Sequence, residues 1–146
     1  MNIPKTGIAV DGSTRGNPVP SEYRAVDLET SEIIFHKKIG VATNNITEFI
    51  AVAHALLYCI EKNIKTTIYT DSQTALSWIK KGKVNSNLPL NKRTQTAIDY
   101  LARLVIKLSL LDIKFDGLDL ICNDIIITKW YTSEYGEIPA DFGLKG

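Results

Sequence analysis

NNITEFIAVAHALLYCIEKNIKTTIYTD, the stretch from Asn44 to Asp71, changes its hydrophobic period partway along. In its first part Ile46, Phe49, Ile50, Ala53, Leu57 and Ile60 recur at three- and four-residue steps, which puts them on one face of a helix over 44–61. Thr43, Asn44 or Asn45 can serve as its N-cap. From Ile64 to Thr70 β-branched residues crowd together and predict a strand, closed by Asp71. A helix feeding directly into a strand is the second half of a crossover, so this strand should run parallel to one that precedes the helix.

Upstream, Ile8-Ala9-Val10 is a short apolar run that ends in Asp11-Gly12-Ser13 and then the turn-rich Arg15-Gly16-Asn17-Pro18. Residues 22–28 and 32–39 read as two more strands, separated by the polar turn Glu29-Thr30-Ser31, and their short connections favour an antiparallel meander. Downstream, Ser72 to Lys81 predicts a short helix, and Lys83 to Leu90 a polar connection closed by Pro89. The stripe Ala97, Leu101, Leu104, Leu108, Leu111 marks a longer amphipathic helix. Asp116-Gly117 breaks that pattern, and Ile125-Ile126-Ile127 predicts a last strand. The order β-β-β-α-β-α-α-β is that of an α/β protein with one mixed sheet covered by helices, a single domain over residues 1–146. If the strand after the crossover pairs with the first strand, Asp11 and Asp71 end adjacent parallel strands, where ligand sites of open α/β sheets lie.

Composition narrows the function classes. The chain has 146 residues, 45% of them hydrophobic and 23% charged, which suits one soluble globular domain. Cys59 and Cys122 stand far apart with no CxxC and no nearby His, which argues against a zinc site or a disulfide framework. Two thiols without a secretory leader fit a reducing cytosol, so a cytoplasmic location is expected. No apolar run reaches the length of a membrane span. The formal net charge is +1, so the chain as a whole is no electrostatic trap for nucleic acid. Charge is nevertheless local: Lys80, Lys81, Lys83, Lys92 and Arg93 fall in a stretch without acids, whereas Asp112, Asp116, Asp119 and Asp124 face only Lys114.

Three acidic residues stand where this topology can gather them: Asp11 after the first strand, Glu48 near the start of the helix, and Asp71 after the fourth strand. Each also has an ordinary structural role open to it. Asp11 before Gly12 can make a turn, Glu48 can complete a capping box with Asn45 or complement the helix dipole, and Asp71 can cap the short helix. Taken together, crowded carboxylates repel unless a cation sits between them. Hard oxygen donors without His or Cys suit Mg²⁺ or Mn²⁺. Two such ions roughly 4 Å apart can activate a water and stabilise the leaving oxygen of a phosphodiester.

Asp11-Gly12-Ser13-Thr14-Arg15-Gly16-Asn17-Pro18, Thr43-Asn44-Asn45-Ile46-Thr47-Glu48 and Tyr69-Thr70-Asp71-Ser72-Gln73, in this order and spacing, resemble the type 1 ribonucleases H. Trp130 followed by Gly136-Glu137-Ile138-Pro139-Ala140-Asp141-Phe142-Gly143 resembles a compact bacterial branch of that family. The resemblance covers nearly the whole chain. It implies a five-stranded mixed sheet and endonucleolytic hydrolysis of the RNA strand of RNA–DNA hybrids, leaving 5′-phosphate and 3′-hydroxyl ends. It also implies that Asp11, Glu48, Asp71 and Asp141 are catalytic and hold two Mg²⁺ ions, with Mn²⁺ as a substitute and Asp11 bridging both. Nothing in the residue-level reading singles out Asp141, which after Pro139-Ala140 looks like a helix N-cap.

The resemblance further implies that Asn17, Asn44, Asn45 and Gln73 touch the minor groove of the hybrid, where amides can meet 2′-hydroxyls and base edges. Ser13 and Thr14 add hydroxyls for the backbone. Lys80, Lys81, Lys83, Lys92 and Arg93 fall where many relatives carry a basic protrusion that grips the duplex, although here the stretch is short and lacks that segment's aromatic character; Lys80, Lys81 and Lys83 are the expected contacts. Relatives often place a His in the loop before the last Asp; this chain has only His36 and His54, both read as structural, which leaves that role vacant or to Glu134 or Glu137. Val19-Pro20-Ser21-Glu22-Tyr23 replaces the glycines that many relatives have after Asn-Pro. The expected partner is an RNA–DNA hybrid duplex, with no membrane and no protein partner implied and a monomer expected. A transposase or integrase-like core, a non-catalytic hybrid-binding module and a nuclease domain derived from a reverse transcriptase are the competing readings.

Overall fold

A computed structural model describes residues 2–13, 20–85 and 87–141. The meander forms as the pattern predicts: β1 (Ile8–Ser13), β2 (Ser21–Asp27) and β3 (Ile33–Gly40) are antiparallel neighbours. The helix α1 (Asn44–Lys62) then crosses to β4 (Thr67–Thr70), which pairs parallel with β1 through Ile8↔Ile68 and Ala9↔Tyr69. Helix α1 ends on Asn63 in the left-handed conformation, and the Ile64 N–H closes back on the Cys59 carbonyl at 2.8 Å. That closure uses Ile64 in the helix terminus, so β4 starts three residues later than the sequence pattern predicts.

Helix α2 (Gln73–Lys81) follows, capped by Gly82 in the left-handed conformation, and then α3 (Gln95–Ser109). The last parallel strand, β7 (Ile125–Lys129), lies beside β4. Where five strands were expected, the described residues form a sheet of seven, in the order β3-β2-β1-β4-β7, then β6 (Asp119–Cys122) and β5 (Lys114–Asp116). The two additional strands, β5 and β6, make a hairpin around Gly117 in the stretch read only as a break. All three β5 residues are exposed, so this edge strand carries no apolar alternation to reveal it, and its charges suit an unpaired edge. β6 does alternate, burying Leu120 and Cys122, but over only four residues.

The sheet has two unequal faces. One carries Ile8, Val10, Tyr23, Ala25, Ile68 and Ile127 against α1, α2 and α3, forming the main core. The other is covered by the chain after β7: Trp130, Ile138 and Ala140 pack with Ala9 and Val26. The Trp130 indole N–H donates to the Gly136 carbonyl at 2.9 Å and so closes a loop around the short α4 (Thr132–Tyr135). Alternation along β1 thus puts Ala9 and Asp11 on the side the C-terminal segment covers, and Val10 and Gly12 on the helical side. Among the described residues no helix is long and apolar enough to cross a membrane, and Cys59 and Cys122 are both buried free thiols.

Candidate active site

β4 ends at Thr70, so β1 runs on past its last pairing with that strand and the sheet opens at their carboxyl ends. Asp11 lies within β1, paired across to Arg24, and not in a turn as its neighbour Gly12 invites one to read. Gly12 is needed for space. A Cβ there would lie 2.7 Å from Thr47 Cγ2 and 3.1 Å from the Glu48 nitrogen, so any side chain would push the first turn of α1 off β1. That close approach lets Glu48 Oε1 accept the Gly12 N–H at 2.8 Å.

The ordinary roles open to Glu48 and Asp71 are taken by their neighbours. Thr43 caps α1, its Oγ1 accepting from the Ile46 N–H at 3.2 Å, which excludes a capping box through Asn45. Ser72 caps α2, accepting from the Ala75 N–H at 3.0 Å. Neither Glu48 nor Asp71 is used in these caps. One carboxylate oxygen from each of Asp11, Glu48 and Asp71 comes within 4.8 Å of the others, with Asp11 and Glu48 buried and Asp71 half-buried.

The electrostatic consequence shows at Glu48, whose carboxyl is held well above the usual carboxylate range. Burial is the largest cause, followed by the charge of Asp11, a carboxyl–carboxyl hydrogen bond to it and the charge of Asp71; the Gly12 N–H pulls the other way. Glu48 Oε2 is buried with no amide or alcohol donor facing it. Protein groups alone therefore let Glu48 ionise only at a cost, and a divalent cation among the three oxygens removes that cost. The donor set is all carboxylate, and no His or Cys belongs to it, which fits Mg²⁺ or Mn²⁺ and not zinc.

Asp141 is not one of the three clustered carboxylates. It ends the described chain on the Asp11 side of the sheet, its N–H donating to the Ile138 carbonyl at 2.8 Å. Arg24 donates from Nε to the Ala140 carbonyl at 2.7 Å and from Nη2 to the Asp141 carbonyl. Nothing in the sequence pattern singles out Arg24; its one signal is an arginine on the strand face that also carries Val26.

The residues expected to meet substrate are distributed unevenly. Asn44 and Asn45 are exposed one helical turn ahead of Glu48, on its side of α1, and neither is used for the cap. Gln73 is exposed at the start of α2, its Oε1 accepting from Lys129 Nζ at 3.4 Å. Ser13 Oγ is buried with no hydrogen-bond partner among the described residues. Lys80 and Lys81 are exposed in the last turn of α2 and Lys83 lies just beyond. At 1.5 Å per residue they stand roughly 12 Å along the helix from its start beside Asp71. Lys80 Nζ lies 5.6 Å from the Phe115 ring centroid. Asn17 and Thr14 lie outside the described residues. The two histidines take part in packing and pairing: His54 sits between Tyr23 and Tyr100, and His36 pairs with Glu22 at 3.0 Å.

The chain is similar to proteins of known kind. A ribonuclease H of Neorickettsia sennetsu (strain ATCC VR-367 / Miyayama) is 39% identical over 67 residues, which are 44% of this chain and 44% of that protein. LC11-RNase H1, isolated from compost by a metagenomic approach, shares 20% identity at a TM-score of 0.50 over 88% of this chain and 85% of its own. RNase H1 of the halophilic archaeon Halobacterium salinarum NRC-1 shares 22% identity at a TM-score of 0.47, over 91% of this chain and 90% of its own. At these identities the likeness to LC11-RNase H1 speaks for the fold. The RNase H family model matches residues 4–111, from before the strand that carries Asp11 to beyond α3. On that match, which spans well over half of its length, the chain belongs to the ribonuclease H family.

Proposed function

We propose that residues 1–146 form a metal-dependent endonuclease that hydrolyses the RNA strand of RNA–DNA hybrids and leaves 5′-phosphate and 3′-hydroxyl ends. The observation that carries this reading is the group of three carboxylates at the opened ends of β1 and β4, in a chain of the ribonuclease H family. Asp11, Glu48, Asp71 and Asp141 would hold two Mg²⁺ ions, or Mn²⁺ in their place. Such ions would supply an activated water and stabilise charge on the scissile phosphate and leaving oxygen.

The chain's own residues do the rest of the work. Gly12 holds Glu48 through its N–H and, by lacking a side chain, keeps α1 close enough for that bond. Ser13 presents a buried hydroxyl on the strand that carries Asp11, suited to a backbone oxygen of the substrate. Asn44 and Asn45 at the start of α1 and Gln73 at the start of α2 offer exposed amides, suited to 2′-hydroxyls and base edges in a minor groove. Lys80, Lys81 and Lys83, farther along α2, are proposed to contact the phosphate backbone.

The test is cleavage of end-labelled RNA–DNA hybrid, duplex DNA and duplex RNA, each with and without Mg²⁺. Only the RNA strand of the hybrid should be cut, and only with the metal. Nicking of duplex DNA would point to a transposase or integrase-like core, and retention of uncut hybrid to a binding module; either result sinks the proposal. A DNA duplex carrying a run of several ribonucleotides should be cut well and one carrying a single ribonucleotide poorly, since recognition rests on 2′-hydroxyls near the scissile bond.

A further inference from the structure

Asp141 stands apart from the other three carboxylates in a simple respect. Asp11, Glu48 and Asp71 each sit on or beside a strand or helix of the main sheet, while Asp141 follows a loop that begins at Trp130. That loop is fixed at Gly136 by the Trp130 indole, and Ile138 and Ala140 are fully buried against Ala9 and Val26. From the second anchor one bond runs on to Asp141, whose N–H donates to the Ile138 carbonyl at 2.8 Å. The next group along is Arg24, 117 residues away in sequence.

Arg24 and Asp11 are direct partners in the antiparallel β1–β2 pair. Side chains at such positions project from the same face with Cβ atoms about 5 Å apart. From there the guanidinium donates to two successive carbonyls, those of Ala140 and Asp141. Two donors in a rigid planar fork fix the direction of a peptide as well as its position, which one ammonium cannot do.

We propose that Arg24 is the positioning residue of this enzyme for Asp141: by clamping the carbonyls of Ala140 and Asp141 it registers the fourth carboxylate against Asp11. This rests on the reading of Asp141 as a metal ligand. Residues that orient ligands typically contribute about 10- to 100-fold in metal affinity or activity, and Arg24 belongs in that range.

The experiment compares wild type, Arg24→Gln, Arg24→Lys, Asp141→Asn and the Arg24→Gln/Asp141→Asn pair in three measurements. These are turnover on hybrid with Mg²⁺, calorimetric titration with Mn²⁺ alone, and amide hydrogen exchange over 136–141. Arg24→Gln should lower kcat and weaken Mn²⁺ binding, each by about 10- to 100-fold, with KM for hybrid little changed. Exchange should accelerate in 136–141 and nowhere in β1 or α1. Arg24→Lys should recover only part of the loss, and in the Asp141→Asn background Arg24→Gln should weaken Mn²⁺ no further. Unchanged exchange and Mn²⁺ affinity in Arg24→Gln would overturn the clamp, as would an equal further loss of Mn²⁺ affinity in the double variant. If wild type fails to cut hybrid, the proposed function falls, while the exchange and Mn²⁺ measurements still decide the role of Arg24.

Discussion

Helix α1 carries two polar clusters six residues apart, one buried and one half-buried, and they solve the same problem in opposite ways. At its first turn Glu48 meets Asp11 and Asp71. At His54 the ring stacks on Phe35 with centroids 3.9 Å apart, and its Nδ1 lies 2.7 Å from the Tyr23 hydroxyl and 3.3 Å from that of Tyr100. The second cluster is neutral: the Tyr23 hydroxyl donates to that of Tyr100 at 3.0 Å, and both oxygens lie within hydrogen-bond reach of the ring nitrogen. Burial, helped by the charge of Lys37, lowers the His54 pKa to about 4, and burial raises the Tyr23 hydroxyl beyond any working pH. At the carboxylates, by contrast, three acidic groups face one another. A buried polar group that finds its match within the protein serves the fold. A group of like charges gathered at a strand end suits a cation.

The largest effects should come from breaking the carboxylate cluster. Asp71→Asn removes one charge at constant shape. Metal-based charge stabilisation is worth several kcal/mol, and each 1.4 kcal/mol is a factor of ten in rate, so turnover on hybrid should fall about a thousandfold. Asp11→Asn should be at least as damaging. Without metal, neither variant should melt below wild type, because each removes a repulsive charge. Millimolar Mg²⁺ should raise the melting temperature of wild type and raise that of Asp71→Asn less, about 2.7 kcal/mol being available at one hundred times Kd. A melting temperature indifferent to Mg²⁺ in both proteins would mean the carboxylates do not form a preformed site.

Tyr23→Phe tests the opposite cluster, and it does so close by, since Tyr23 pairs across from Gly12. The ring and its packing remain, and Tyr100 stays near His54, so the loss should be about 1 kcal/mol. That is a drop of about 2–4 °C in melting temperature for a domain of this size, with kcat on hybrid unchanged. A fall in kcat without a fall in stability would show that the two clusters are coupled through Gly12.

Acid should expose the same contrast. His54 binds its proton only near pH 4 in the folded chain, against an ordinary value of 6.5. Between those values the unfolded chain holds more protons, so stability is full above about pH 6.5 and declines as pH falls towards 4. His54→Gln, which cannot titrate, should flatten urea-unfolding stability between pH 6.5 and 5. An unchanged slope there would mean that His54 is not held neutral by its surroundings.

How much of this the sequence disclosed depends on whether a feature is local. The α1–β4 crossover and the β1–β4 pairing were legible because a helical period switches to a β-branched run within 28 residues. Hairpin β5–β6 was not, because a three-residue exposed edge strand has no period to detect. Asp11, Glu48 and Asp71 could be proposed from topology alone, but their alternative roles could not be discarded. The capping bonds of Thr43 and Ser72 take the caps away from Glu48 and Asp71, and the pairing of Asp11 with Arg24 takes Asp11 out of a turn. Gly12 reads as a turn residue in sequence and proves to be a spacing residue, since the atom it must avoid belongs to Thr47, 35 positions on. Asp141 is reached only through family resemblance, and Arg24 not at all, because its two bonds join segments more than a hundred residues apart.

The smallest expected effect lies with charge that neither cluster buries. Lys80, Lys81 and Lys83 are exposed near the end of α2 and add to the favourable electrostatics of a helix C-terminus. That role would account for them without any nucleic acid. If they also meet phosphates, replacing all three with Gln should reduce the slope of log K against log salt by roughly 0.7–0.9 for each phosphate no longer neutralised. Lys80 is turned towards Phe115, so the slope should fall by less than three lysines' share. Because the three stand roughly 12 Å along the helix from Asp71, kcat at saturating hybrid should stay within about twofold of wild type, in contrast to the loss in Asp71→Asn. The measurement is hybrid affinity across a salt series, made without metal so that binding is read apart from cleavage. A slope equal to that of wild type would remove these lysines from the substrate surface and leave them as the solvated end of a helix, while the carboxylates and Arg24 would stand unaffected.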